Sequence, residues 1–169
     1  MIRKGMTRRE FEITDRKEIQ EILDECKILH LGLADGDEPY VVPMNYGYTM
    51  EDETLTLYLH AATKGYKLDV MKKNPKVFFQ MDCQVTPFEG EKPCQYGTSY
   101  KSIMGRGVAE LVSDVEEKKA ALSIFMKSQT GKDFIFDDRM VSIVSIIKIH
   151  VNEYTAKCRP LPAVLRGAE

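Results

Sequence analysis

Long apolar runs, paired-cysteine motifs and an excess of one charge are all missing from this sequence, and each absence removes a class of function. No stretch of the 169 residues approaches the ~20 consecutive apolar residues that span a bilayer. The opening MIRKGMTRREF lacks the apolar centre of a signal peptide, so a cytoplasmic protein with no membrane partner is expected. Lys and Arg number 24 against 26 Asp and Glu, a formal net charge of −2. No basic face is in sight to neutralise phosphates, which argues against a nucleic-acid partner. The four cysteines, Cys26, Cys83, Cys94 and Cys158, show no C-x-x-C spacing and read as reduced thiols. Cys83 and Cys94 flank a loop and have room to approach each other, yet a zinc ion needs ligands that the nearby sequence does not supply; no metal is expected. Ser-His-Asp constellations, H-E-x-x-H, a Walker loop and a Rossmann glycine fingerprint are likewise absent, which leaves the usual hydrolase, metalloprotease and nucleotide-triphosphatase readings without support.

What is present is a chain 43% hydrophobic and 30% charged, the ordinary balance of one globular domain with its own core. Residues 1–169 read as a single domain. Asp15, with Glu18 three residues on, supplies a helix start, and Ile19, Ile22, Leu23 and Cys26 recur as one apolar stripe, which predicts a helix over 15–26. From Ile28 the period becomes two: Leu29, Leu31 and Leu33 share a face, Asp35-Gly36-Asp37 supplies turn chemistry, and 40–48 forms the second strand of a hairpin. Glu51-Asp52-Glu53 marks the next turn, after which Leu55, Leu57 and Leu59 alternate with Thr54, Thr56 and Tyr58. A short basic helix over 64–73 carries Leu68 and Met71 and closes at Asn74-Pro75. Residues 77–83 read as a strand and 85–97 as a long loop. The run 98–112 is a long strand in which Gly105 and Gly107 mark a bulge or a close backbone approach. Asp114 opens a second long helix through Leu122, Phe125 and Met126, and 141–157 returns to strand character. Six strands joined mostly by hairpin turns favour a mainly β, antiparallel barrel with a few helices over a parallel sheet, whose strands each need a crossover.

Three stretches carry chemistry. The first, Leu57 to Lys67, passes from a strand through small residues into a helix with a basic first turn. Helix N–H groups without partners, Lys64 and Lys67 three apart, and the Thr63 hydroxyl together suit a phosphate. The same residues also satisfy an ordinary capped, lysine-rich surface helix. In the second, Val41 to Tyr48, Pro43 cannot donate to a sheet ladder and implies an edge strand, a bulge or a backbone facing a ligand. In the third, Tyr100 to Gly107, glycines allow close approach and Ser102 offers a hydroxyl to a ring edge; a bent barrel strand reads equally well. His60 ends its strand beside the phosphate site, where an imidazole serves either as a structural hydrogen-bonding group or in proton transfer. His30 and His150 lie in strand-like runs and read as structural.

The order of these stretches resembles the FMN-binding split-barrel superfamily of pyridoxamine 5'-phosphate oxidase, most closely its 5-nitroimidazole resistance branch. The resemblance extends over roughly residues 5–160. Its most specific part is Tyr58-Leu59-His60-Ala61 followed by Lys64-Gly65-Tyr66-Lys67-Leu68 and Asn74-Pro75, supported by Val42-Pro43-Met44-Asn45-Tyr46 and by Tyr100 to Gly107. It implies a six-stranded Greek-key split barrel and a homodimer holding FMN at the subunit interface. Contacts to the cofactor would come from Pro43, Met44, Asn45, Tyr46, His60, Ala61, Thr63, Lys64, Gly65, Lys67, Ser102 and Ile103. Lys67 takes the place of a phosphate-binding lysine of the oxidase, whereas the arginine preceding it there is Tyr66 here, with Lys64 as its candidate replacement.

Two departures weigh against oxidation of pyridoxamine phosphate. Ser102 stands where the oxidase has a glutamine near the flavin. The oxidase also carries arginine, histidine and tryptophan in its C-terminal substrate segment; this chain has no tryptophan and runs Lys157-Cys158-Arg159-Pro160-Leu161-Pro162. The strand-end histidine followed by alanine is similar instead to the resistance branch, which implies an FMN-dependent oxidoreductase that reduces a nitroaromatic or related small acceptor, with His60 as its catalytic residue. Two alternatives from the same barrel are a flavin- or haem-binding protein without turnover, with His60 or His30 on the iron, and an oxidase of the vitamin pathway.

Overall fold

The computed structural model describes residues 7–163. In chain order its elements are β1 (Glu12–Ile13), α1 (Arg16–Glu25), β2 (Ile28–Asp35), β3 (Glu38–Asn45), β4 (Gly47–Glu51), β5 (Thr54–Ala62), α2 (Tyr66–Lys73), β6 (Lys76–Phe88), β7 (Gly97–Val112), α3 (Val115–Thr130), α4 (Asp138–Ser142) and β8 (Val144–Arg159). The strands form a sheet of order β3-β2-β6-β7-β8-β5-β4, with β1 paired to β8. The fold is mainly antiparallel β with few helices, a split barrel whose sheet is not closed. Eight strands replace the six expected: β1 is too short to show a period, and the run 40–48 is broken at Tyr46 into β3 and β4.

The residues fall into two compact units. Within the described chain one consists of 7–26, 81–104 and 155–163, the other of Lys27–Gln80 and Gly105–Tyr154.

In the first unit, Asp15 accepts a hydrogen bond from Glu18 N at 3.0 Å and starts α1, as its spacing predicts. Ile19, Ile22 and Leu23 are buried, each worth about 1.5–3 kcal/mol when fully removed from water. β1 pairs antiparallel with β8, Ile13 opposite Ala156. β6 continues through Phe88, so the loop expected from residue 85 begins only after it. Val85 and Thr86 carry β-branched side chains suited to a sheet, and Pro87 comes one residue before the strand's end, where a missing N–H costs little. All four cysteines are thiols, and Cys83 neighbours Cys26 while Cys94 is exposed.

In the second unit, β2 and β3 form the expected hairpin over Gly36 at φ +62°, with Leu31 opposite Val42. β4 and β5 form the next, turning at Asp52 with φ +52°, a conformation that Asp tolerates better than most residues. Leu29, Leu31, Leu55, Leu57 and Leu59 all point into the core. α3 is capped by Asp114 and ends at Gly131 in the left-handed conformation. Its Phe125 backbone lies so close to β4 that a Cβ on Gly47 would stand 2.5 Å from Phe125 Cα. Gly105 and Gly107 mark close approach to β8: a Cβ on Gly105 would come within 2.6 Å of Glu153 O, and one on Gly107 would meet His150 O. Val141, expected to start the last strand, belongs instead to α4, because Asp137 caps that helix by accepting from Met140 N at 2.8 Å.

Candidate functional site

The strand-to-helix passage is built by β5, which ends at Ala62, three connecting residues and α2. Gly65 stands at φ +151°, ψ +157°, a region that essentially only glycine enters. A Cβ there would meet no atom within 4 Å. Backbone geometry therefore demands the glycine, and the space beside it is open. α2 follows without a side-chain cap, whereas α1, α3 and α4 are capped by Asp15, Asp114 and Asp137. A helix start leaves N–H groups in need of acceptors and carries partial positive charge.

The helix begins at Tyr66 rather than at Lys64. Lys64 is consequently an exposed residue of the connection, and its three-residue spacing from Lys67 is not a helical one. Lys67, in the first turn and half-buried, places Nζ 3.6 Å from Met44 Sδ on β3. A thioether is a weak acceptor, so this ammonium keeps most of its capacity for an anion. His60, exposed at the end of β5, sets its ring edge-on to Phe125 with centroids 4.7 Å apart. Partial desolvation pushes its pKa below the usual imidazole value, and the Lys67 charge adds to that effect. The ring is thus neutral at pH 7 and sits within the electrostatic reach of Lys67.

The second unit brings Met44, His60 and Lys67 together. Thr63 and Lys64 are exposed beside them in sequence, and Ala61 is buried. Pro43 is exposed on β3, the terminal strand of the sheet order, where a strand tolerates proline. Asn45 and Tyr46 have internal duties. Asn45 Nδ2 donates to Lys27 O at 3.0 Å and to Gln129 Oε1 at 3.3 Å, and Tyr46 O accepts from Gln129 Nε2 at 2.7 Å. Tyr46 as a whole is 1% exposed and belongs to the core, so it is not placed to touch a ligand from outside. Ser102 and Ile103 lie on β7 in the first unit, both buried.

A brace that pattern reading missed fixes α2. Tyr66 OH donates to Asp35 Oδ2 at 3.1 Å, Lys73 Nζ to Asp35 Oδ1 at 3.2 Å, and the Tyr66 ring meets Tyr40 edge-on at 5.1 Å. Hydrogen bonds from Lys73 and then Tyr66 hold the Asp35 carboxyl below its usual pKa. In sequence Asp35 is simply a turn residue; its hairpin position alone hides the second role. Because the Tyr66 hydroxyl is engaged here, it does not substitute for the oxidase's arginine at the helix start.

A helix start without a cap, an open glycine position and a lysine with only a weak internal partner form a donor set that fits a phosphate monoester such as that of FMN. Residues 15–158 match the family model described as pyridoxamine 5'-phosphate oxidase, and the chain belongs to that family. A 5-nitroimidazole antibiotic resistance protein, provisionally assigned as such, from Bacteroides thetaiotaomicron VPI-5482 is 33% identical and superposes with a TM-score of 0.74, over 87% of this chain and 86% of that one. A flavocytochrome of Azotobacter vinelandii superposes at 0.77 over 96% and 76% with 17% identity. A FAD and heme binding protein of Mycobacterium smegmatis does so at 0.75 over 87% and 72% with 13% identity; these two likenesses concern the fold. Among curated proteins none matches the sequence. Among the described residues no helix is long and apolar enough to cross a membrane.

Proposed function

We propose that this protein is a cytoplasmic, homodimeric FMN-dependent reductase of small nitroaromatic or similar acceptors. The observation that carries the reading is the uncapped start of α2 behind Gly65, with Lys67 in its first turn and His60 in electrostatic contact with that lysine. When bound and reduced by an external electron donor, FMN would supply the electrons for nitro-group reduction. The chain's share is binding and orientation. Lys67 and the amides of the first turn of α2 hold the phosphate, with Lys64 and Thr63 beside them, and Met44 keeps the Lys67 ammonium in place. Pro43, Ala61 and the main chain of Asn45 line the flavin. His60, neutral at pH 7, offers a ring N–H to the acceptor and orients it. The 33% identity to the resistance-assigned protein supports the choice of acceptor class.

The test is an absorption spectrum of the protein as purified and after addition of FMN, followed by anaerobic reduction with a 5-nitroimidazole present. Flavin absorption and loss of the nitro chromophore are expected. Protein that stays colourless with FMN sinks the proposal, and a Soret band in its place moves the assignment to haem.

A further inference from the structure

The first unit contains a cavity of about 370 Å³ between the C-terminal half of β6, the start of β7 and the end of β8, within the size range of small-molecule sites. None of the residues assigned above to the cofactor lines it. Its polar lining is Gln84, Thr86, Ser99, Lys101 and Arg159, with Tyr100, Cys158, Pro160 and Leu161 as the rest. Among the described residues no carboxylate lines it. Some of the neutral donors are already engaged: Gln84 Nε2 donates to Glu25 Oε2 at 2.7 Å, and Ser99 Oγ to Thr86 O at 3.3 Å. The two cations are not so engaged. Among the described residues neither Lys101 nor Arg159 has a carboxylate partner, and Arg159 is instead held over the Phe88 ring at 5.2 Å. Gly97 makes room for that stack, since a Cβ there would come 2.7 Å from Phe88 Cζ and 2.8 Å from Arg159 Nη2. Lys157 adds positive charge beside the cavity, its Nζ 5.6 Å from the Tyr100 ring centre.

We propose that this cavity is a second ligand site, which binds a small aromatic carboxylate. Two cations with no acid lining the same walls attract an anion. The planar guanidinium of Arg159, oriented by its stack on Phe88, matches a carboxylate's two oxygens. Tyr100, Pro160 and Leu161 receive the ring. Nothing in this proposal depends on the flavin reading.

Isothermal titration of the full-length protein with salicylate, benzamide and inorganic phosphate separates charge from ring. Salicylate is expected to bind at least tenfold more tightly than either control. Arg159→Gln and Lys101→Gln should each weaken it at least fivefold with unchanged melting temperature; Lys101→Gln leaves the Arg159–Phe88 stack in place and so keeps the test valid if the first variant unfolds. Equal binding of benzamide, or of phosphate, overturns the proposal, as does unchanged affinity in both variants. Displacement of salicylate by FMN also overturns it, because the cavity would then be part of the flavin site.

Discussion

Replacing Lys67 with alanine probes the centre of the functional reading. Among the described residues its ammonium has a hydrogen bond only to the Met44 thioether, at 3.6 Å, so little internal stability is lost with it. A charge-assisted phosphate contact is worth about 1.5–3 kcal/mol, which corresponds to a roughly ten- to 150-fold weaker Kd for FMN. Quenching of FMN fluorescence on titration measures this, at low salt where the charge is least screened. The same variant carries an internal control. The Lys67 charge is the second cause, after desolvation, of the lowered His60 pKa, so the His60 titration followed by NMR in flavin-free Lys67→Ala must move up toward the ordinary imidazole value. An FMN affinity within threefold of wild type, in a protein whose His60 pKa has risen, would leave the geometry intact and refute the phosphate role. A His60 pKa that does not move would refute the geometry itself.

Further outcomes follow from other parts of the structure. Gly65→Ala meets no steric obstacle but must adopt φ +151°, so it should lower stability by about 1–3 kcal/mol in urea unfolding and weaken FMN binding. Gly47→Ala forces its new methyl against Phe125 Cα and N, 2.5 and 2.8 Å from the built Cβ, and should cost about 1–3 kcal/mol or more in the same assay. Because the His60 pKa is lowered on folding, the unfolded chain binds the proton more readily. Stability from this group is therefore complete above the ordinary value of 6.5 and declines as pH falls through that value toward the folded pKa; His60→Gln should flatten this part of the melting-temperature profile. Thiol labelling followed by mass spectrometry should modify exposed Cys94 first and Cys26 only on unfolding, because burial holds the Cys26 thiol well above its usual pKa.

Elements governed by neighbours in the chain were readable from sequence. Asp15 and Glu18 predict the start of α1 because a cap is a contact between residues three apart. Leu29, Leu31 and Leu33 predict β2 because alternation places successive side chains on opposite faces. The passage from β5 into α2 was visible for the same reason, although the helix begins two residues later than its lysines suggest; a backbone turn at Gly65, not composition, sets that boundary. Lys67, His60 and Gly65 were accordingly identifiable as a group.

Other features depend on residues that meet only after the strands are in register. Gln129 reaches Asn45 from 84 positions away, and Asp35 binds Tyr66 and Lys73 from 31 and 38 positions away. The cationic cavity joins Lys101 to Arg159 across two strands that no local pattern connects. Local spacing determined which segments became helices and strands and marked the candidate phosphate site. Tertiary structure alone decided which polar groups found partners inside the protein, because a hydrogen bond or an unopposed charge is a property of neighbours in space.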